Sequence, residues 1–265
     1  MPELPDVEGF KRYFKNTSLN KKIVGVECPA KDLIKKITFV RFKEKLIAKR
    51  FKNAWRRGKF LIIEIKGIPE KLVIHFGMTG NLHYVKQGKE RGKDRFSRLI
   101  FKFENSYELR WLDMRKLGKV YLVKDPKEIK LIKEMGPEPL GLSRPGFLGL
   151  LQGHKGKNIK AFLLDQRDIA GIGNIYSDEI LFKAQINPHR KIKTLNLKEK
   201  EKICQAMSRV LKGAIRIQPP SGKFGLSWLL SHRGKDMRCP KNKSHQLKRE
   251  IIANRAATYC PTCQK

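Results

Sequence analysis

Apolar residues recur in two rhythms along this chain, and the change of rhythm divides it. Residues 4–16 (LPDVEGFKRYFKN) put Val7, Phe10, Tyr13 and Phe14 on one face, which predicts a first helix. From 22 to 123 the pattern predicts short strands: Ile23–Cys28, Ile37–Phe42, Leu46–Phe51, Phe60–Ile65, Leu72–Phe76, Leu82–Val85, Leu99–Phe103, Glu108–Trp111 and Lys119–Val123. Turn signals such as Arg57-Gly58-Lys59 and Glu104-Asn105-Ser106 separate several of them, the spacing of a β-sandwich or barrel. After Asp125 the character changes. Gly136-Pro137-Glu138-Pro139-Leu140-Gly141 reads as an interdomain linker, and helical patterns follow at 143–153, 157–165, 175–185 and 197–217. Gly213 lies inside the last and marks either its end or a bend. A tail from about 224 carries three of the five cysteines, and no internal repeat is present.

Charge narrows the choice of partner. Lys and Arg number 59 against 25 Asp and Glu, a net +34 spread along most of the 265 residues and not gathered in a tail. An extended anionic partner, most simply nucleic acid, explains it. An anionic membrane, ribosome association and a lysine-biased genome are the competing explanations. No charge-free apolar run approaches the roughly 20 residues of a membrane span, and no signal-peptide pattern opens the chain. Five scattered cysteines then point to a reduced cytoplasm.

The opening residues, Met1-Pro2-Glu3-Leu4-Pro5-Asp6-Val7-Glu8, carry candidate chemistry. Loss of Met1 would leave Pro2 as a secondary amine. The α-amino group has a reference pKa of about 8, so part of it is nucleophilic at neutral pH. Such an amine attacks aldehyde-like carbon to give an iminium. Glu3 stands where a carboxyl acid/base would serve it. A proline-rich lead-in to a helix, with Asp6 and Glu8 at its N-terminal end, fits the same residues.

Further along, Cys239 and His245 are followed by fourteen residues and then Cys260-Pro261-Thr262-Cys263. A Cys-x-x-Cys knuckle suits a tetrahedral metal, Cys239 is a third ligand, and His245 is the best fourth because Asn242 stands where a second Cys would complete the usual pair. The 246–259 span is long enough for two short strands. A degenerate, metal-free ribbon and a redox dithiol are the alternatives. Ile169-Ala170-Gly171-Ile172-Gly173-Asn174-Ile175-Tyr176 is a glycine-bearing turn opening a helix, whose outward N–H groups favour a phosphate, with Asn174 and Lys160 nearby. A plain helical hairpin also fits. Lys59 sits in a basic turn, as a phosphate contact or a solvated hairpin lysine. His75-Phe76-Gly77-Met78-Thr79-Gly80 and Asp113-Met114-Arg115-Lys116-Leu117-Gly118 are loops with apolar tips. Enzymes that act on a base take it out of the stack, and apolar side chains serve as wedges.

Taken in order, MPELPDVE, RRGKF, HFGMTG, GIGNIY and NRAATYCPTCQK resemble the formamidopyrimidine-DNA glycosylase/endonuclease VIII family over nearly the whole chain. Leu4 resembles the formamidopyrimidine branch. The resemblance implies an α+β fold: an N-terminal β-sandwich with flanking helices (2–134), a helical helix–two-turn–helix domain (135–223) and a zinc ribbon (224–265). It implies a bifunctional glycosylase/AP lyase that excises oxidised purines from double-stranded DNA, also acts on abasic sites, and holds the DNA in the cleft between the domains. Pro2 would be the nucleophile and Glu3 the acid/base. Lys59 would contact DNA near the lesion. His75, Lys160, Asn174 and Arg255 would bind phosphates. Met78, Arg115 and Leu117 would fill the void left by the everted nucleotide, with Asp6 and Glu179 lining the site. One structural Zn2+ on Cys239, His245, Cys260 and Cys263 is implied. The expected protein is a cytoplasmic monomer, on the nucleoid in a bacterium, with no membrane partner.

The chain departs from the family pattern in three places. Leu117 stands where the formamidopyrimidine branch usually has Phe, so stacking on a neighbouring base is lost. The usual four-cysteine finger becomes three cysteines and His245. The 218–224 region runs quickly into the finger and is shorter than in bacterial 8-oxoguanine enzymes, with Lys223 a replacement phosphate contact. An endonuclease VIII-like enzyme for oxidised pyrimidines, or a non-catalytic DNA-binding protein on the same fold, are the rivals.

Overall fold

In the computed structural model, helix α1 spans Leu4–Ser18, with Asp6 in its first turn and Lys15 in its last, both complementing the helix dipole. Residues 1–89, 94–217, 223–234 and 237–265 are described. They form two units, Met1–Pro2 with Asp6–Lys133, and Glu3–Pro5 with Glu134–Lys265.

The first unit continues with β1 (Ile23–Glu27), β2 (Ile34–Lys35), α2 (Phe39–Leu46), β3 (Phe51–Arg57), β4 (Phe60–Ile65), β5 (Lys71–His75), β6 (Asn81–Lys86), β7 (Ser97–Phe103), β8 (Tyr107–Leu112), β9 (Lys119–Val123) and α3 (Lys130–Lys133). Two sheets result, of order β1-β7-β8-β6 and β2-β9-β5-β4-β3, antiparallel except for the β2–β9 pair. In β7, Ser97, Leu99, Phe101 and Phe103 are buried in strict alternation, the period of a strand with one face in the core. β4, inside its sheet, reads as a nearly continuous apolar run buried on both faces. Leu99, Phe101 and Phe103 share one core with Leu61, Ile63, Leu72 and Ile74 of the other sheet, and Val7, Phe14, Phe42 and Leu46 from α1 and α2 join it.

Two predicted strands are wrong. Ile37–Phe42 is the start of α2: Thr38 caps it by accepting from the Arg41 N–H, and Phe42 and Leu46 bury at helical spacing. Leu46–Phe51 is the end of that helix and a turn with Ala48 at φ +62°; the strand begins only at Phe51. The β-branched and aromatic content of ITFVRF suits either structure, and a short apolar run does not separate them.

In the second unit, α4 (Arg144–Gln152) is capped by Ser143, and α5 (Ile159–Leu164) by Asn158, which accepts from the Lys160 and Ala161 N–H groups. α6 (Asn174–Ala184) ends on Gln185 in the left-handed conformation. α7 (Leu197–Ile217) buries Ile203, Met207, Val210, Leu211 and Ala214 along one stripe. Gly213 neither ends nor breaks it; an added Cβ there would lie 3.3 Å from the Trp228 ring. Gly136–Gly141 is tied in, with the Gly136 N–H on the Gln166 carbonyl and the Ala170 N–H on the Pro137 carbonyl. The tail forms the hairpin β10 (Lys248–Ile252) and β11 (Arg255–Tyr259), as expected within 246–259. Most of the short 218–224 region, residues 218–222, lies outside the described residues. Among the described residues no helix is long and apolar enough to cross a membrane.

The Phe51 ring is fully buried between Phe14 (5.2 Å between centroids) and Phe101 (5.3 Å). Phe51→Ala leaves a cavity between the sheets and is expected to destabilise the first unit by about 3–5 kcal/mol. Urea unfolding measures this; a loss under about 1 kcal/mol contradicts the shared core.

Candidate functional site

The chain start is held by the Glu3 side chain. Pro2 is half-buried and Glu3 is 1% exposed. The Glu3 carboxylate accepts from the backbone N–H groups of Gly173 (2.7 Å), Ile175 (2.8 Å) and Tyr176 (3.3 Å), at the N-terminus of α6. Three N–H donors and the positive end of the helix dipole complement a negative carboxylate. Gly173 is required by this approach, since an added Cβ would lie 2.4 Å from Glu3 Cδ. The turn is further fixed by the Leu4 N–H on the Gly171 carbonyl and by Gln166, whose amide bonds both the Gly171 N–H and the Ile172 carbonyl. The GIGNIY turn was expected to offer these N–H groups to a phosphate; the protein's own carboxylate takes three of them instead.

Helix α6 gathers the rest of the second unit. Asn174 Nδ2 donates to the Ala256 carbonyl at 2.7 Å, so it meets β11 next to Arg255. Asp178, 2% exposed, receives Lys160 Nζ on one oxygen, and Arg233 (2.6 Å) and the Thr258 N–H (3.0 Å) on the other. Burial pushes the Asp178 carboxyl up and the Lys160 ammonium down, against the attraction between them. Glu179 accepts from the Leu229 and Leu230 N–H groups, and burial pushes its carboxyl up. Lys160 therefore has no exposed surface and reaches no phosphate as it stands, while Glu179 is a buried tie. Arg255 is exposed, following a two-residue turn with positive φ at both Ala253 and Asn254, as a type I′ hairpin requires.

In the first unit, Lys59 occupies the β3–β4 hairpin turn and is largely buried. Strand register sets His75 opposite Phe60 on one side and Lys119 on the other. Burial and the positive charges of Lys59 and Lys119 push the His75 imidazole down to about 4. Its Nδ1 accepts from the Gly77 N–H, leaving Nε2 as the protonated nitrogen of a neutral ring, a donor suited to an anion. Met78 (39% exposed), Leu117 (46%) and Arg115 project from loops whose backbones touch: a Cβ on Gly77 would lie 2.6 Å from the Leu117 carbonyl carbon. Asp6, partly exposed, is in the first turn of α1.

The ligand atoms of Cys239, His245, Cys260 and Cys263 all lie within 4.8 Å of one another. Cys239 Sγ is 3.8 Å from Cys263 Sγ, and His245 Nδ1 is 3.3 Å and 3.8 Å from Cys263 and Cys260 Sγ. A tetrahedral zinc with usual bond lengths needs edges of about 3.8 Å between sulfurs and about 3.6 Å from sulfur to nitrogen, so the set fits. Asn242 is a turn residue whose side chain accepts from Ser244.

Sequence reasoning missed Gly173, Asp178 and Lys119. GIGNIY displayed the first, but its reason lies with a residue 170 positions away; the other two read as ordinary charges in a helix and a strand.

The His75 geometry is checked by titration. NMR should find this ring neutral throughout the neutral range, protonating near 4 against an ordinary 6.5. Because the folded value lies below the unfolded one, the associated stability is complete above about pH 6.5 and is lost as pH falls toward 4. A ring titrating at 6.5 would contradict the burial.

The family model for the formamidopyrimidine-DNA glycosylase N-terminal domain matches residues 1–120, and that for the formamidopyrimidine-DNA glycosylase H2TH domain matches 135–224. The formamidopyrimidine-DNA glycosylases of Carboxydothermus hydrogenoformans and Pelotomaculum thermopropionicum are 35% and 34% identical; the alignments cover all of this chain and 100% and 99% of those proteins. A crystal structure of Lactococcus lactis Fpg with DNA containing an abasic site aligns at TM-score 0.88 and 27% identity over 99% of each chain. MutM in complex with DNA containing carbocyclic 8-oxo-G aligns at 0.88 and 28% over all of both. With two family models spanning most of its length and relatives above 30% identity end to end, the chain belongs to the formamidopyrimidine-DNA glycosylase family.

Proposed function

We propose that this protein is a bifunctional DNA glycosylase/AP lyase acting on oxidised purines, ring-opened or oxo, and on abasic sites in duplex DNA. The observation that carries the reading is the pair at the chain start: Pro2, which becomes the terminal amine once Met1 is lost, next to a carboxylate held by three backbone N–H groups. The relatives of known structure were solved on DNA with such damage.

With Met1 removed, the Pro2 nitrogen lone pair attacks C1′ of the damaged nucleoside. The C1′–base bond breaks, the base leaves with a proton, and opening of the sugar ring leaves an iminium between Pro2 and C1′. Glu3, fixed beside the amine, stabilises that cation and relays protons to and from the ring oxygen. Loss of a C2′ proton then expels the 3′ phosphate, and a second elimination expels the 5′ phosphate, leaving a one-nucleotide gap. Lys59, neutral His75, Asn174 and Arg255 bind phosphates around the lesion. Lys160 acts from inside, by holding Asp178. Met78, Arg115 and Leu117 fill the gap in the stack. The working divisions are 2–134 for catalysis, 135–223 for the DNA grip and 224–265 for the ribbon. Cys239, His245, Cys260 and Cys263 would hold one Zn2+, which would cross-link the ribbon as a structural ion.

Borohydride reduction on duplex DNA bearing an abasic site should trap a covalent adduct whose modified peptide is the N-terminal one. No adduct, or an adduct that persists when the amine is blocked and Pro2 replaced, overturns the lyase. For the metal, purified protein should hold one zinc per chain, and His245→Ala should lower that content and loosen the ribbon; undiminished zinc would remove His245 from the ligand set.

A further inference from the structure

Asp113, at the end of β8, is 0% exposed. Its carboxylate accepts from the Thr79 hydroxyl (2.5 Å), the Arg115 N–H (3.3 Å) and the Gly118 N–H (2.8 Å). The Thr79 hydroxyl in turn accepts from the Arg115 N–H at 3.1 Å. The backbone of Asp113 is anchored as well, its N–H on the Phe96 carbonyl and its own carbonyl on Arg98 Nε. Thr79 belongs to the loop after β5, whereas Arg115 and Gly118 belong to the loop after β8. One buried carboxylate thus ties the two loops that carry the exposed Met78, Arg115 and Leu117, and the exposed Met114 with them.

Two further contacts show that the tie sits on a rigid base. The loops touch backbone to backbone, since a Cβ on Gly77 would fall 2.5 Å from the Gly118 nitrogen. The Gly118 Cα rests on the Trp111 ring, where an added Cβ would lie 2.2 Å from Cζ2. A buried carboxylate is costly unless hydrogen-bonded, so this one strongly favours the arrangement that satisfies it. A wedge entering the base stack from two independent loops would have to order both during the insertion; loops already joined do not.

We propose that Asp113 is a positioning residue that joins these two loops into a single preformed wedge, with Thr79 as its link to the first loop. The inference rests on the reading that Met78, Arg115 and Leu117 enter the gap left by the everted nucleotide. It predicts that the Thr79–Asp113 link affects steps that need the wedge and spares steps that do not. Excision of an oxidised purine from a duplex needs the gap filled. Cleavage at an abasic site in a single strand, which has no opposite strand and no stack to repair, does not.

The experiment compares both activities in Thr79→Val, Thr79→Ser and the double variant Met78→Ala/Leu117→Ala, with thermal unfolding as the check on folding and with 2-aminopurine opposite the lesion reporting unstacking. Thr79→Val removes only the hydroxyl. It should lower duplex excision by about tenfold, reduce the 2-aminopurine response and leave single-strand cleavage within about twofold of wild type. Thr79→Ser should restore both duplex readouts. Equal loss of both activities in Thr79→Val, or loss of neither, overturns the assignment of Asp113. If the double variant lowers the ratio of duplex to single-strand activity while Thr79→Val does not, the wedge stands and the Asp113 link falls. If the double variant leaves the ratio unchanged, the wedge reading itself falls.

Discussion

The Glu3 carboxylate at the N-terminus of α6 is the interaction on which the site depends. A chain end is normally the least ordered part of a domain. Here the third residue is buried and hydrogen-bonded to residues 173–176, and Leu4 packs into the core of the same unit. The proposed nucleophile, Pro2 freed of Met1, needs such an anchor, because an N-terminal amine has only one backbone bond to hold it. The anchor also takes the helix-terminal N–H groups that a phosphate would otherwise use. The electrostatic pull of the helix dipole thereby positions the proposed catalytic carboxylate, and in the proposed reaction anion recognition passes to side chains such as Asn174 and Arg255.

The other end of the same logic is Asp178. In a protein of net charge +34, acidic groups are scarce, and several are buried at junctions. Asp178 joins α5, Arg233 and β11; Glu179 joins α6 to the 229–230 turn; Asp113 joins two loops. Each of these three carboxylates accepts from at least one N–H, O–H or cationic donor on a distant segment, so each is fully satisfied only when that segment is in place. The abundant lysines and arginines, in contrast, remain mostly at the surface, where their attraction for the proposed DNA partner is long-ranged and salt-dependent. Cations supply attraction and buried anions supply geometry.

Much was legible in the sequence. Strands with one buried face, such as Ser97–Phe103, announce themselves by alternation, and α7 by its stripe. The metal set was legible because a knuckle is local, and His245 followed from a missing cysteine at Asn242. The errors cluster where the sequence is ambiguous at short range: Ile37–Phe42 suits a strand or a helix, and only the Thr38 cap and the burial of Phe42 and Leu46 decide. Lys160 shows a different failure. Its type and position suit a phosphate contact, but its burial against Asp178 depends on a partner eighteen residues away and on Arg233 beyond that.

By itself the sequence determined the family, the element types over most of the chain, the four metal-ligand candidates and the candidate reactive pair Pro2–Glu3, because these depend on local spacing and on side-chain chemistry. Only the tertiary structure decided what each charged group faces: that Glu3 caps α6, that Lys160 is internal, that His75 is neutral and that Asp113 binds two loops together. Burial and the arrangement of donors around a group set its charge and its freedom, and both come from residues far apart in the chain.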